Sequence, residues 1–230
     1  MAITTIDNPT EYFNCLTYTG NNSGGSTQAI SGLGFSPDFV WTKNFDTDGQ
    51  GHALQDTVRG VRILSVGEAG DAEATNAGFM QSFDSDGFTV GTDNVSNKNG
   101  DNIVSWSWRG SDSTAATNTD GSVDSTVSAN TTSGFSVVAY TGTGSAATIG
   151  HGLGVVPKMI ICKARGQGED GAIYHGAISN AQNYAVLLNS TAAVSSASNA
   201  YWNSTSPTSS VFSVNTSANT NADNTMIAYC

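Results

Sequence analysis

The sequence contains three imidazoles, the side chains best suited to general acid–base catalysis and to zinc binding: His52, His151 and His175. No two of them have the spacing of a metal-ligand pair, and no serine, cysteine or carboxylate is marked out as a partner. His175 is the most interesting of the three, because it follows Tyr174 in an apparent strand. We nevertheless expect structural or surface histidines, no catalytic residue, and a protein that is not an enzyme.

Carboxylates offer two further kinds of chemistry, glycoside hydrolysis and calcium binding. Nothing in the placement of the glutamates favours the acid and base pair of a glycosidase: Glu11, Glu68, Glu73 and Glu169. A polysaccharide depolymerase is therefore disfavoured. Asp84 and Asp86 alternate before Gly87, as in fragments of calcium loops, but the further ligands of such a loop do not follow. A local Asx-type turn is the preferred interpretation, and a structural Ca²⁺ ion at Asp84 and Asp86 is the alternative.

Aromatic side chains could instead stack on sugar rings, with their apolar faces against the ring and their polar edges in water. The tryptophans of the alternating segments are expected to fill a core: Trp41, Trp106 and Trp108. Tyr201 and Trp202 differ, because they lie in a stretch rich in Ser, Asn and Thr, 194–210, that is typical of a loop. With Asn199 and Asn203 beside them, they are the candidates for a surface site that binds a sugar.

The elements that must position these residues occur twice in the sequence. Three pairs of segments correspond: 13–20 with 135–142, 32–43 with 152–163, and 88–90 with 212–214. The same alignment places Trp108 opposite Cys230. The sequence therefore predicts a duplicated unit of about a hundred residues, the size of one small domain.

Short bursts of alternating apolar and polar residues, separated by Gly- and Asn-rich turns, predict many short strands and little helix. The predicted fold class is all-β, with two tandem antiparallel β-sandwich domains of jelly-roll type, 1–110 and 121–230, that arise from the duplication. Residues 111–120 are nearly all small or polar and predict a linker. Each Gly-Leu-Gly is predicted to form a tight turn before a strand rather than a phosphate-binding loop.

Charge and composition narrow the range of partners. Lys and Arg number 8 against 19 Asp and Glu, a formal net charge of -11, which disfavours binding to nucleic-acid phosphates. No apolar stretch is long enough to span a bilayer, and residues 1–7 lack the features of a signal peptide. We therefore expect no nucleic-acid partner, no membrane insertion and no export signal. The abundant Gly, Ser, Thr and Asn suit the uncharged polar surface of extracellular and virion proteins.

The three cysteines do not occupy matching positions in the two copies, so no disulfide framework is predicted. Cys15, Cys162 and Cys230 are expected to be small buried residues. Cys230 is the last residue, at a point where the first copy continues to a glycine, and we expect the natural chain to continue beyond it.

These residues resemble a family of repeat domains of unassigned function in structural proteins of tailed bacteriophages, especially cyanophages and other marine phages, often named tail fibre proteins. The matching stretches cover most of the chain: 18–20, 32–43, 82–90 and 105–108 in the first copy, and 121–140, 174–175, 184–189 and 202–213 in the second. The family has no catalytic motif to transfer. The resemblance implies a virion component, either a tail fibre or another surface appendage or capsid decoration.

Together these observations predict a non-enzymatic, adhesive structural protein of a phage virion with a role in host attachment. We expect it to contact other virion proteins and to form a homo-oligomer, with a trimer as the first expectation because phage fibres are commonly trimeric. No cofactor is expected apart from the Ca²⁺ alternative. The second hypothesis is a carbohydrate-binding module that recognises host surface glycans.

Overall fold

A computed structural model of the protein describes residues 6, 8–66, 72–75, 78–111 and 113–230. Within these ranges the chain is all-β, with several antiparallel sheets in a sandwich-like arrangement and only short helices. The predicted all-β, sandwich-like fold class is confirmed, whereas the duplication stays a prediction. No helix in the same ranges is long and apolar enough to cross a membrane.

The chain divides into two compact units, the first formed by described residues within 1–67 and 73–110 and the second by those within 68–72 and 111–230. The first unit contains a single-turn helix, α1 (Asn94–Asn97), and a 3-10 turn at Pro9–Glu11. Its strands are β1 (Phe13–Thr19), β2 (Gln28–Ser31), β3 (Phe39–Asn44), β4 (His52–Asp56), β5 (Gly60–Val66), β6 (Met80–Asp84), β7 (Gly87–Val90) and β8 (Asn102–Trp108).

Two sheets build the first unit, one in the order β1-β8-β3-β4-β5 and the other in the order β2-β7-β6. Both sheets contribute to one core, in which Val40 of β3 packs with Phe88 and Val90 of β7. Because side chains alternate across a strand, the opposite face of the five-stranded sheet presents a second row of residues. Along β8 this row contains Trp106 and Trp108, which are only partly buried.

The second unit contains α2 (Ala218–Asn221), also a single turn, and a 3-10 turn at Ala181–Asn183. Its strands are β9 (Ala116–Asn118), β10 (Ser125–Asn130), β11 (Phe135–Thr141), β12 (Ala147–Gly150), β13 (Met159–Ala164), β14 (Ala172–His175), β15 (Val186–Leu187), β16 (Val211–Val214) and β17 (Thr225–Tyr229). β9 lies inside the range predicted as a linker and pairs with β10.

The sheets of the second unit repeat the strand order of the first. The larger one runs β15-β14-β13-β17-β11-β10-β9, and its first five strands follow the order of β5-β4-β3-β8-β1. β12 pairs with β16 as β2 pairs with β7. A single core joins the two sheets, with Ile160 and Met226 from the larger sheet and Phe212 from the smaller one.

A tyrosine ties each short helix to its large sheet, Tyr18 from β1 in the first unit and Tyr140 from β11 in the second. The Tyr18 hydroxyl donates to the Ser96 carbonyl over 2.8 Å, and the Tyr140 hydroxyl donates to the Thr220 carbonyl. Burial raises the pKa of both phenols well above the ordinary value of 10. Both tyrosines therefore keep their protons, and each remains a hydrogen-bond donor.

The next residue of each helix is a fully buried asparagine that satisfies three backbone groups. The Asn97 amide donates to the carbonyls of Ser26 and Gly91, and its oxygen accepts the Asn21 N–H. Asn221 donates to the carbonyls of Asn215 and Ser145 and accepts the Thr143 N–H. Each asparagine thus closes the loop that follows β1 or β11 onto the helix.

Strand register corrects one detail of the sequence alignment. Ser107 pairs with Asn14 across β8 and β1, and Cys230 exchanges backbone hydrogen bonds with Ser136, the counterpart of Asn14. Cys230 therefore corresponds to Ser107, and its predicted match to Trp108 is wrong. The alignment error is a single residue, which in a strand places a side chain on the opposite face of the sheet.

Both Gly-Leu-Gly segments form the predicted tight turns, with positive φ at Gly32, Gly34, Gly152 and Gly154. Different side chains hold them. The Asp86 carboxylate accepts the N–H groups of Gly32 and Gly34 at 3.1 and 2.6 Å. In the second unit His151 Nδ1 accepts the Leu153 N–H at 3.2 Å. The turn is thus common to both units, and its polar support differs.

Candidate functional site

Three tryptophans and a histidine of the first unit line an open pocket of about 250 Å³: Trp41, His52, Trp106 and Trp108. Trp41 comes from β3, His52 from β4 and the other two from β8. Trp41 and Trp106 are direct cross-strand partners, and Trp108 follows on the same face two residues later. Strand alternation therefore gathers four rings on one face of the sheet. We call this site the aromatic pocket.

Trp41 meets two other rings of the aromatic pocket edge to face, whereas the ring contacts of Trp108 are tilted. Trp41 and Trp106 have centroids 6.0 Å apart at an interplanar angle of 70°, and Trp41 and His52 are 5.6 Å apart at 74°. Trp108 packs against Phe13 at 4.8 Å and against Phe39 at 5.1 Å. These are favourable geometries for aromatic pairs. The Trp41 and Trp106 indoles, both only partly buried, thus form a corner rather than a flat stack.

A hydrogen bond fixes the tautomer of His52. The Trp41 indole Nε1–H donates to His52 Nδ1 over 2.8 Å. Because an indole nitrogen can only donate, Nδ1 must be the acceptor, which puts the imidazole proton on Nε2. Burial, together with the Lys43 charge, lowers the pKa of His52 below its ordinary 6.5. His52 therefore contributes a neutral ring with one N–H donor, and Nε2 has no protein partner within the described ranges.

A lysine next to the aromatic pocket, Lys43, is held by backbone oxygens. Lys43 pairs with His52 across β3 and β4, so the two side chains share a face of the sheet. Its ammonium donates to the carbonyls of Asn44 and Gln50 at 2.6 and 2.8 Å. The positive charge therefore stays close to the pocket without a carboxylate partner among the described residues.

The glycan site predicted from the sequence has a different structure. Residues 199–204 form turns, as expected for a loop, but Trp202 is only 1% exposed and belongs to the core of the second unit. Its indole N–H donates to the Tyr184 carbonyl over 2.8 Å, and its ring packs edge to face on Tyr174. The predicted surface position of Trp202 is wrong, because the indole finds both an apolar environment and a buried acceptor.

The neighbours of Trp202 are more accessible. Asn199 is exposed, and its carbonyl accepts the Asn203 N–H over 2.9 Å. Tyr201 is half-buried and packs against the core of the second unit. Asn203 is half-buried with a φ of 51°. Without the indole face, this loop keeps only part of the predicted stacking surface, and its binding of a glycan stays a prediction.

Both predicted calcium ligands accept hydrogen bonds from other groups of the protein. Asp84 accepts the hydroxyls of Ser82 and Thr89 at 2.7 and 2.8 Å. Asp86 follows in the two-residue hairpin between β6 and β7, and its carboxylate caps the Gly-Leu-Gly turn rather than its own turn. No group of three or more His, Cys, Asp or Glu side chains with metal-site geometry occurs in the described part of the chain. Calcium binding stays a prediction.

The other two histidines and Glu73 contact groups of the protein itself. His151 is fully buried, and its Nε2 lies 3.2 Å from the Thr208 carbonyl. His175 is exposed, and its Nδ1 accepts the Ala177 N–H. Glu73 lies 3.9 Å from Arg59, whose guanidinium also pairs with the buried Asp56. Glu68 lies outside the described residues.

The cysteine prediction holds for one thiol of three. Cys162 is fully buried, and burial raises the pKa of its thiol to about 12. Cys230 is partly buried, and Cys15 is exposed on the edge strand β1. All three thiols are free, as expected.

The sequence contained the signal for the aromatic pocket, but not its exposure. Trp106 and Trp108 are spaced by two and therefore share a face of one strand. Pairing β3 with β8 adds Trp41 to that face. Which face of the sheet meets the smaller sheet depends on long-range packing, so the sequence pattern alone assigned these tryptophans to a core. No sequence feature indicated that His52 would be part of this pocket.

The geometry defines an all-β protein of two sandwich-like units, one of which carries an open aromatic pocket. A family model, described as a domain of unknown function (DUF7483), matches residues 8–230. The chain therefore belongs to this family. Comparisons with curated proteins and with solved structures gave no match.

Proposed function

We propose that this chain is a non-enzymatic structural protein of a tailed-phage virion, in a tail fibre or another exposed appendage or decoration. The observation that carries the proposal is the strand order shared by two successive units. Serial β modules of one type are a simple way to build an extended appendage from short-range contacts. The resemblance to phage structural proteins supports the same role.

The hydrogen bonds that several polar side chains make to the backbone support a structural role. His151 and Asp86 hold backbone turns, while Asn97 and Asn221 close loops onto the short helices. These groups are hydrogen-bonded to the backbone in arrangements that position the fold rather than a substrate. In the proposed role the chain contacts other virion proteins and assembles as a homo-oligomer, with a trimer as the first expectation.

Cryo-electron microscopy of the phage particle that encodes this chain tests the proposal. We expect density for both units at a symmetric position on the particle, with the chain detected by mass spectrometry of purified virions. Sedimentation of the isolated chain should give three times the 23.6 kDa of one protomer. Absence of the chain from purified particles would contradict the structural role. A monomer at high protein concentration would contradict the predicted trimer.

A second candidate function is recognition of host surface glycans, and the aromatic pocket is the observation that favours it. Its indoles are partly exposed on a face of the first unit. Binding of sugars would make the appendage adhesive, so the two functions are compatible in one particle. They differ for the isolated chain, because only the second requires binding to a free glycan.

A further inference from the structure

Two lining positions of the aromatic pocket, those of Trp41 and Trp106, hold different residues in the second unit. Alignment of Lys43 with Lys163 and of Tyr18 with Tyr140 places Trp41 at Ile161 and Trp106 at Tyr229, and each pair is again a cross-strand pair. The same strand order forms with an aliphatic residue in place of one indole. The sheet therefore does not require tryptophan at both positions, which leaves a ligand as a reason for them.

The lining of the aromatic pocket fits a neutral ligand with one apolar face. Indole faces attract C–H groups and cations alike. A cationic ligand is disfavoured because the ammonium of Lys43 lies beside His52 and is not neutralised by a carboxylate within the described ranges. An anionic ligand would meet the electron-rich faces of three indoles and a protein of formal net charge -11. Charge complementarity therefore favours an uncharged ligand.

Hydrogen-bonding capacity restricts the ligand further. The Trp41 indole N–H is already used by His52, and the other polar groups of the lining are the His52 Nε2–H and the indole N–H groups of Trp106 and Trp108, all of which can only donate. A ligand that fits must combine an apolar ring face with an acceptor at the ring edge. A pyranose has this combination, because its axial C–H groups form one face and its hydroxyls surround the edge.

The volume limits how much of a glycan can enter. At about 250 Å³ the pocket is smaller than the roughly 300–1,000 Å³ of sites for drug-sized ligands. One sugar ring fits this size better than an oligosaccharide, and the open side allows the rest of a glycan to extend into solvent. We infer that the aromatic pocket binds one neutral pyranose ring, stacked on an indole and hydrogen-bonded to His52 Nε2. This inference rests on the glycan-binding candidate function and names its site.

Binding can be measured with the full chain and defined probes. Saturation-transfer-difference NMR and calorimetry would use methyl glycosides of glucose, galactose, mannose and N-acetylglucosamine, with tetramethylammonium as the cationic rival. We expect at least one pyranoside to bind and tetramethylammonium not to bind. Trp106→Ala should weaken binding at least tenfold, and Trp106→Tyr, which installs the residue of the second unit, should retain part of it.

Matched variants distinguish the site from the function. Phe45→Ala removes an aromatic ring that is 55% exposed and lies outside the pocket, so it should leave the affinity unchanged. Near-UV circular dichroism and thermal unfolding would confirm that Trp106→Ala stays folded. If Tyr201→Ala abolishes pyranoside binding and Trp106→Ala does not, the pocket assignment is overturned while glycan binding stands. No binding of any pyranoside at millimolar concentration, or binding of tetramethylammonium alone, overturns the inference.

Discussion

The two units share a strand order but place their tryptophans in opposite environments. In the first unit three strand tryptophans line an open pocket, whereas in the second the loop residue Trp202 is buried in the core. The features that both units keep are polar tethers to the backbone, namely a tyrosine and an asparagine around each short helix. The comparison indicates that the tethers define the fold, and that residues on the far face of the large sheet are available for function.

Replacing Trp202 should cause the largest loss of stability among the variants that test this comparison. Trp202→Ala removes a fully buried ring and leaves the Tyr184 carbonyl without its donor, so we expect a loss of about 3–5 kcal/mol in the stability of the second unit. Hydrogen exchange resolved by mass spectrometry would locate the loss in 111–230. Trp106→Ala removes a partly exposed ring and should cost less.

The opposite ranking of these two variants would contradict the assignment of Trp202 to structure and of Trp106 to binding. Phe45→Ala serves again as the control, because its exposed ring should contribute little to stability. Unfolding should be followed separately for each unit, since a chain of two units need not unfold in one transition.

The buried asparagines test whether the units use equivalent tethers. Asn97→Ala removes the side chain that pairs with two carbonyls and one N–H of the first unit. Asn221→Ala does so for the Asn215 carbonyl and the Thr143 N–H, whereas the Ser145 carbonyl still accepts the Thr143 hydroxyl over 3.1 Å. At a cost of about 1–3 kcal/mol for each unsatisfied buried group, partly relieved by water, we expect each variant to lose about 3 kcal/mol. Urea unfolding of both variants measures this loss.

Asn99→Ala, at an exposed asparagine that follows the first helix, is the control and should change stability by less than about 0.5 kcal/mol. A large loss in one unit with none in the other would show that the two asparagines are not equivalent. Similar losses would support a common frame.

Sequence reasoning predicted the frame well and the site poorly, and the reason is the range of the interactions. The turn at Gly32 and Gly34 depends on local backbone preferences, which the residue types reveal. Exposure of Trp41 and burial of Trp202 depend on contacts with residues distant in sequence. The composition around Trp202 indicated a loop correctly, but a loop can still direct one large apolar side chain into a core.

The tyrosine tethers should have a smaller effect than the asparagines, because each contributes one hydrogen bond. Tyr18→Phe and Tyr140→Phe keep the ring and remove the hydroxyl that donates to Ser96 or Thr220. We expect a loss of about 1 kcal/mol in each unit, measured by urea unfolding. A loss of stability larger than that of the asparagine variants would show that the tyrosines contribute more than the asparagines.

Acidification should produce the smallest loss of stability. The loss should occur in both units, because each contains a neutral histidine that becomes protonated. Burial lowers the pKa of His52 and of His151 below the ordinary 6.5, so the folded protein binds these protons more weakly than the unfolded chain does. Their contribution to stability is therefore fully present above about pH 6.5 and is lost as the pH falls towards the folded pKa. In both rings Nδ1 accepts an N–H, from Trp41 or from Leu153, and protonation would remove that acceptor.

Urea unfolding at about pH 7.5 and about pH 5.5, on either side of the ordinary imidazole pKa, should show less acid destabilisation in His52→Gln and His151→Gln than in the native chain. His175→Gln, which removes an exposed imidazole, is the matched control, and an equal change in all three variants would rule out the buried histidines as the source.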